Sequence, residues 1–194
     1  MSSDLIDTRE RILEAALNLL EQGGALRMTD IAREARISRQ ALYLHFASRA
    51  DLLVEATRHL DRKTRSDEKL APSRSATTGT ERLDAFVIAW TSYLPVIANS
   101  ARTLLYLGET DPEARDAWAK RMQDMREGCE AAVLALARDG DLANTLTPEQ
   151  ATDMLWTLLS YRNWAHLRNE CGWSDKECQA GILMMARRVL QGRD

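Results

Sequence analysis

The chain has 194 residues, 45% hydrophobic and 28% charged, a balance that excludes a disordered chain and fits one large domain or two small ones. With 4 Pro and 9 Gly it can sustain long helices, and its net charge of -3 excludes a uniformly basic surface, so any face for a polyanion must be a local patch. Three cysteines, Cys129, Cys171 and Cys178, exclude a disulfide framework by their odd count and irregular spacing, and charges interrupt every stretch that might span a bilayer.

The start, Met1 to Asp4 followed by an amphipathic run, does not read as a signal peptide, and a reducing cytoplasm is the expected compartment. Asp7 with Glu10 predicts a capping-box start for the first helix, with Ile12, Ala16, Leu19 and Leu20 at helical spacing. Gly23 and Gly24 predict its end. A short helix over 28–35 follows, then a third from the N-cap Ser38 to His45. Ser48 and Asp51 cap a fourth helix over 49–63, with Leu52, Leu53, Ala56 and Leu60 on one face.

Residues 71–80, APSRSATTGT, are small, polar and aperiodic and predict a loop. A helix over 81–98 and a short one ending near Gly108 come next, with Pro95 kinking or ending the first. Asp111 caps a helix with Pro112 at its first position that runs to Asp139. Thr147, Pro148 and Gln150 open a helix ending near Gly172, and Ser174 with Glu177 opens the last, ending near Gln191. The expectation is an all-α fold of about nine helices without repeats.

Residues 28–53, MTDIAREARISRQALYLHFASRADLL, have the makings of a helix-turn-helix. Two short helices must cross at a large angle around a very small core. Ile31 and Ala35 supply the inward face of the first, Ile37 fills the turn, and Leu42 and Phe46 supply the inward face of the second. The outward face of the second helix is then Arg39, Gln40, Tyr43 and His45. Arginine bridges guanine acceptors, glutamine pairs with adenine, and tyrosine hydroxyls and helix N-termini hold phosphates. Over 27–49, Arg27, Arg33, Arg36, Arg39 and Arg49 face only Asp30 and Glu34, a local excess of three positive charges (five minus two). The plainer reading of these polar groups is a solvated helix face. The order of short helix, tight turn, capped short helix and capped long helix favours the DNA reading.

Residues 9–53 resemble the DNA-binding head of the TetR-type (tetracycline-repressor-like) transcriptional regulators. The matching words are Ile31-Ala32-Arg33-Glu34-Ala35, Ile37-Ser38, Leu42-Tyr43-Leu44-His45-Phe46, and Ser48-Arg49 before Asp51-Leu52. The resemblance implies a three-helix head over 1–48 and a larger effector-binding and dimerisation domain over 49–194. It places Arg39 and Gln40 where bases are read, and Tyr43 and His45 at phosphates. Arg49 stands where the family usually has a lysine that touches the backbone, and keeps that charge with a bidentate option. Arg27, Thr29, Arg36 and Ser38 complete the expected DNA surface. Arg36 replaces the usual turn glycine. It either keeps positive φ, at about 1 kcal/mol, or the turn differs and it adds a phosphate contact. Arg27 replaces the usual Ser or Thr cap of the second helix.

The remainder matches the family only in size and helical character. The resemblance implies a homodimer, because two half-sites about a helical turn apart are read by a two-fold dimer. Leu155, Leu158, Leu159, Leu183, Met184 and Leu190 on the last two helices are the expected interface. The aromatic and methionine-rich middle reads from the residues alone as core. The resemblance implies instead a cavity for a flat or apolar effector, lined by Trp90, Tyr93, Trp118, Met122, Met125 and Trp156, with Arg162 and Asn163 as polar contacts.

No spacing among His45, His59, His166 and the cysteines resembles a metal-ligand set, and no phosphate loop or nucleophile motif stands out, so no metal, cofactor or catalysis is expected. Two function classes remain: a DNA-binding repressor released by a small molecule, and a helical small-molecule-binding protein or enzyme that keeps the helix-turn-helix only as scaffold. The arginine cluster discriminates, since a scaffold has no use for it.

Overall fold

The computed structural model describes residues 2–23 and 26–191; Gly24, expected to help end the first helix, lies outside them. The described residues are all-α. In order they form α1 (Ser2–Glu21), α2 (Met28–Glu34), α3 (Arg39–His45), α4 (Arg49–Lys63), α5 (Ser66–Ser75), α6 (Gly79–Leu107), α7 (Pro112–Asp139), α8 (Pro148–Leu158), α9 (Tyr161–Asn169) and α10 (Asp175–Gln191). They fall into two compact units. The first is Met1–Thr64 with Asn99–Met122, and the second is Arg65–Ala98 with Gln123–Asp194.

In the first unit α1 packs on α2 and α4, and α2 on α3. The core forms where the apolar spacing demanded it: Ile12, Ala16, Leu20, Ile31, Leu42, Leu52, Leu53 and Ala56 are fully or almost fully buried. Thr103 donates its hydroxyl to the Leu20 carbonyl at 2.8 Å, satisfying an acceptor at the end of α1. Gly23 takes φ +69 just past that end, as a helix-stopping glycine should. In the second unit α8 and α9 pack on α10. Its core is Leu83, Val87, Leu94, Val133, Leu136, Leu155, Leu159, Ile182 and Leu190, all wholly buried.

Four boundaries differ from expectation. First, α1 begins at Ser2 rather than Asp7, since no Gly or Pro precedes Asp7 to stop it. Second, the predicted loop is helical at both ends: α5 reaches Ser75 with Pro72 inside it, and α6 starts at Gly79. Buried Ser73 donates to the Arg82 carbonyl at 3.0 Å, a tie nine residues long that periodicity does not show. The Gly79 N–H meets the Asp139 carboxylate at 2.6 Å.

Third, Pro95 does not break α6, which runs on to Leu107. Buried Leu94, Ile97, Ala101 and Leu104 continue one apolar stripe past the proline, and that burial outweighs its lost N–H. Fourth, the helix expected from Thr147 to near Gly172 is two helices, α8 and α9. Ser160 caps α9 by accepting the Asn163 N–H at 3.3 Å, and the Asn163 side-chain amide donates to the Thr157 carbonyl at 2.5 Å. These local bonds replace the ladder at the break. The capping box at Thr147 and Gln150 is present.

Candidate nucleic-acid interface

The turn between α2 and α3 is a Schellman motif. The Ile37 N–H reaches the Ala32 carbonyl at 3.0 Å, and the Arg36 N–H reaches the Arg33 carbonyl at 3.1 Å. This places Arg36 in the left-handed region at φ +54. The family's glycine geometry is therefore kept with a side chain on it. Two residues on, the Ser38 hydroxyl accepts the Ala41 N–H at 3.0 Å and caps α3.

Seven residues of α3 then present two faces. Leu42 is wholly buried, with Phe46 buried just past the end. Arg39, Gln40 and Tyr43 are exposed. The Arg39 guanidinium lies 5.6 Å from the Tyr43 ring centroid, a contact that holds both side chains over the outer face. Leu44, absent from the expected surface, is 87% exposed beside them. A large apolar side chain that open to water has the chemistry to meet a thymine methyl, a contact that counting polar groups overlooks.

Arg27, Thr29 and Arg36 are exposed on the same segment. Arg27 stands at the N-cap of α2 without a side-chain cap bond, since a guanidinium has only donors and that helix end needs an acceptor. Arg33 pairs with Asp30 at 2.9 Å, which leaves the net local charge at the three already counted but takes Arg33 out of the unpaired cations. His45 is half-buried, and its carbonyl accepts Arg9 Nη1 at 2.9 Å while the Arg9 guanidinium sits 4.3 Å over the Phe46 ring. Arg9 thus fastens the end of α3 to α1, a role with no local sequence signal because 36 residues separate the partners.

A cleft of about 540 Å³ opens beside α3, lined by Arg27, Met28, Thr29, Arg39, Tyr43, Ala47, Ser48, Arg49 and Glu113. Three arginines and three hydroxyl groups in one cleft make a surface for an anion. Arg49 differs from the expectation that its charge is free. Its Nε lies 2.6 Å from Glu113 Oε2 and its Nη2 lies 2.5 Å from Asp111 Oδ1. Burial opposes the charge on Arg49, but hydrogen bonds to Asp111 and Glu113 outweigh it and raise its pKa further. Burial likewise opposes ionisation of Asp111, yet Arg49 and the Ala114 and Glu113 N–H groups hold its pKa below the ordinary aspartate value.

The residues expected around an effector are divided between the units. Trp118 and Met122 belong to the first; Trp90, Tyr93, Met125, Trp156, Arg162 and Asn163 belong to the second. Trp90 and Tyr93 are buried and tilted against each other at 5.7 Å, and the Trp90 indole donates to the Leu159 carbonyl at 2.8 Å. Met125 is buried and Trp156 half-buried, whereas Arg162 and Asn163 are exposed. Trp164, beside Arg162 and Asn163, is buried with an indole N–H that has no acceptor among the described residues.

Of the expected interface, Leu155, Leu159 and Leu190 are wholly buried in their own chain, so they are core. Leu158 and Leu183 are half-buried and Met184 is 49% exposed. Among the described residues no group of three or more His, Cys, Asp or Glu is placed to hold a metal ion, and no helix is long and apolar enough to cross a membrane.

Residues 12–56 match the family model described as bacterial regulatory proteins, tetR family. The head is a tetR-family head. The tetR-type fold extends over nearly all of the chain. A TetR-family regulator from Rhodococcus sp. superposes with a TM-score of 0.75 at 20% identity, over 98% of this chain and 100% of that one. A transcriptional regulator from Saccharomonospora viridis, solved in complex with choline, gives 0.74 at 21%, over 96% and 99%. NalD, the secondary repressor of the MexAB-OprM multidrug efflux pump in Pseudomonas aeruginosa, gives 0.69 at 24%, over 97% and 98%. No curated protein matches the sequence.

Proposed function

We propose that this tetR-type chain is a transcriptional repressor that binds operator DNA through α3 and is released by a small-molecule effector. The outer face of α3 carries this reading: a Ser38-capped helix N-terminus, Arg39, Gln40 and Tyr43 in the open, and Leu44 exposed next to them. In it Arg39 and Gln40 read bases, and Arg27, Thr29, Arg36, Tyr43 and His45 position the head on phosphates. An enzyme or binding protein using the head as scaffold has no need of Arg27, Arg36 and Arg39 all exposed within one short segment.

The repressor role and the effector follow the similar structures, of which one is a repressor and another holds choline. Within the second unit, the Trp164 N–H is the buried donor that an effector oxygen would satisfy. A homodimer supplies the second half-site. Its interface draws on exposed Met154, Met184 and Val189 with the half-buried Leu158 and Leu183, in place of the buried leucines. The head comprises 1–48, with 49–194 for effector and dimer, and the protein works in the cytoplasm.

The test is a gel-shift on duplex DNA flanking the protein's own gene across a salt series. A retarded band that weakens steeply with salt is expected. Absence of binding even at low salt would refute the reading. Release by a small molecule that leaves the protein folded is the second expectation.

A further inference from the structure

We propose that the carboxylate of Glu113 competes with DNA phosphate for Arg49, so that the DNA-free protein keeps one of its anchoring cations occupied from within. This rests on the reading of the α3 face as a DNA interface. Arg49 opens α4 and lines the same cleft as Arg27 and Arg39. A guanidinium offers a planar fork whose two N–H edges match two oxygens of one phosphate. Here those edges are divided between two carboxylates, with Nε on Glu113 and Nη2 on Asp111.

The two carboxylates are not equivalent. Asp111 Oδ1 also accepts the Glu113 and Ala114 N–H groups at 3.1 and 3.4 Å, so it caps α7 whatever Arg49 does. Its side chain is 18% exposed. The Glu113 side chain is 43% exposed and itself lines the cleft, the one carboxylate among three arginines. Glu113 is therefore the group a phosphate displaces, while Asp111 continues to hold Nη2 and the helix. Until displaced, its charge repels a phosphate entering the cleft and offsets the Arg49 charge that would attract it.

The experiment compares wild type, Glu113→Gln, Arg49→Ala and the double variant on a duplex that the wild type recovers from a random-sequence pool. Glu113→Gln keeps the side chain's size and removes its charge. It is expected to tighten binding about tenfold at low salt, because Arg49 Nε no longer has to give up a carboxylate before it meets a phosphate. In the Arg49→Ala background most of that gain is expected to vanish. If wild type recovers no duplex, the DNA reading fails first. If wild type binds and Glu113→Gln binds no tighter, the competition alone is overturned. An equal gain with and without Arg49 also overturns it, because Glu113 then acts as a plain surface charge.

Discussion

Replacing Arg36 by glycine separates what the turn costs from what its side chain does. Arg36 sits at φ +54, where an L-residue is disfavoured by about 1–2 kcal/mol and glycine is not. Against this relief, glycine gives the unfolded chain about 0.4–1 kcal/mol of extra freedom. The Schellman bonds from Arg36 and Ile37 are backbone bonds and survive the change. Arg36→Gly is therefore expected to stabilise by about 0.5–1 kcal/mol, raising the melting temperature by about 1–4 °C at this chain length. Removing the exposed guanidinium should at the same time weaken duplex binding several-fold at low salt and flatten the salt slope by about 0.9. Urea unfolding and fluorescence anisotropy on a labelled duplex measure the two halves. A glycine variant no more stable than wild type would refute the strained turn. One that binds with an unchanged salt slope would refute the phosphate contact.

Two further outcomes follow from the packing. Burial pushes the Cys129 thiol up to about 12, and Cys178 is wholly buried with its thiol also raised by burial, while Cys171 is exposed. One thiol per native chain should therefore react quickly with a disulfide reagent near neutral pH, the other two only on unfolding, and three fast thiols would contradict this. A Cβ at Gly79 would lie 2.5 Å from the Leu136 backbone nitrogen and 2.6 Å from the Ala135 carbonyl, atoms that cannot swing aside. Gly79→Ala should destabilise the second unit by about 1–3 kcal/mol in denaturant unfolding, and a neutral result would mean that α6 and α7 are not so close there.

Much of this molecule is legible because its helix ends are local devices. Ser38, Ser48, Asp111, Thr147 and Ser174 each cap the helix that follows, with partners three residues away or nearer. The spacing of Leu42 and Phe46 likewise put Arg39, Gln40 and Tyr43 on the exposed face of α3, although His45, expected there too, is half-buried. What local pattern could not show depends on distant partners. The α5 helix has no apolar stripe, and its buried Ser73 finds its acceptor on α6. The split between α8 and α9 carries no Gly or Pro, only a serine cap that reads as any other helical serine. Arg49 looked like a free phosphate anchor because its carboxylates lie 62 and 64 residues further on. The buried leucines of α8 and α10 looked available for a partner because an apolar excess on a helix does not say which neighbour covers it.

The central claim, that the exposed face of α3 reads duplex DNA, is tested most directly by selecting duplexes from a random pool with wild type, Arg39→Ala and Tyr43→Ala. Wild type should enrich one motif. Arg39→Ala should relax it at a guanine-bearing position, at about 1–3 kcal/mol, and Tyr43→Ala should weaken all sequences alike. Enrichment of no motif by the wild type, or of the same motif with the same affinity by all three proteins, would contradict it.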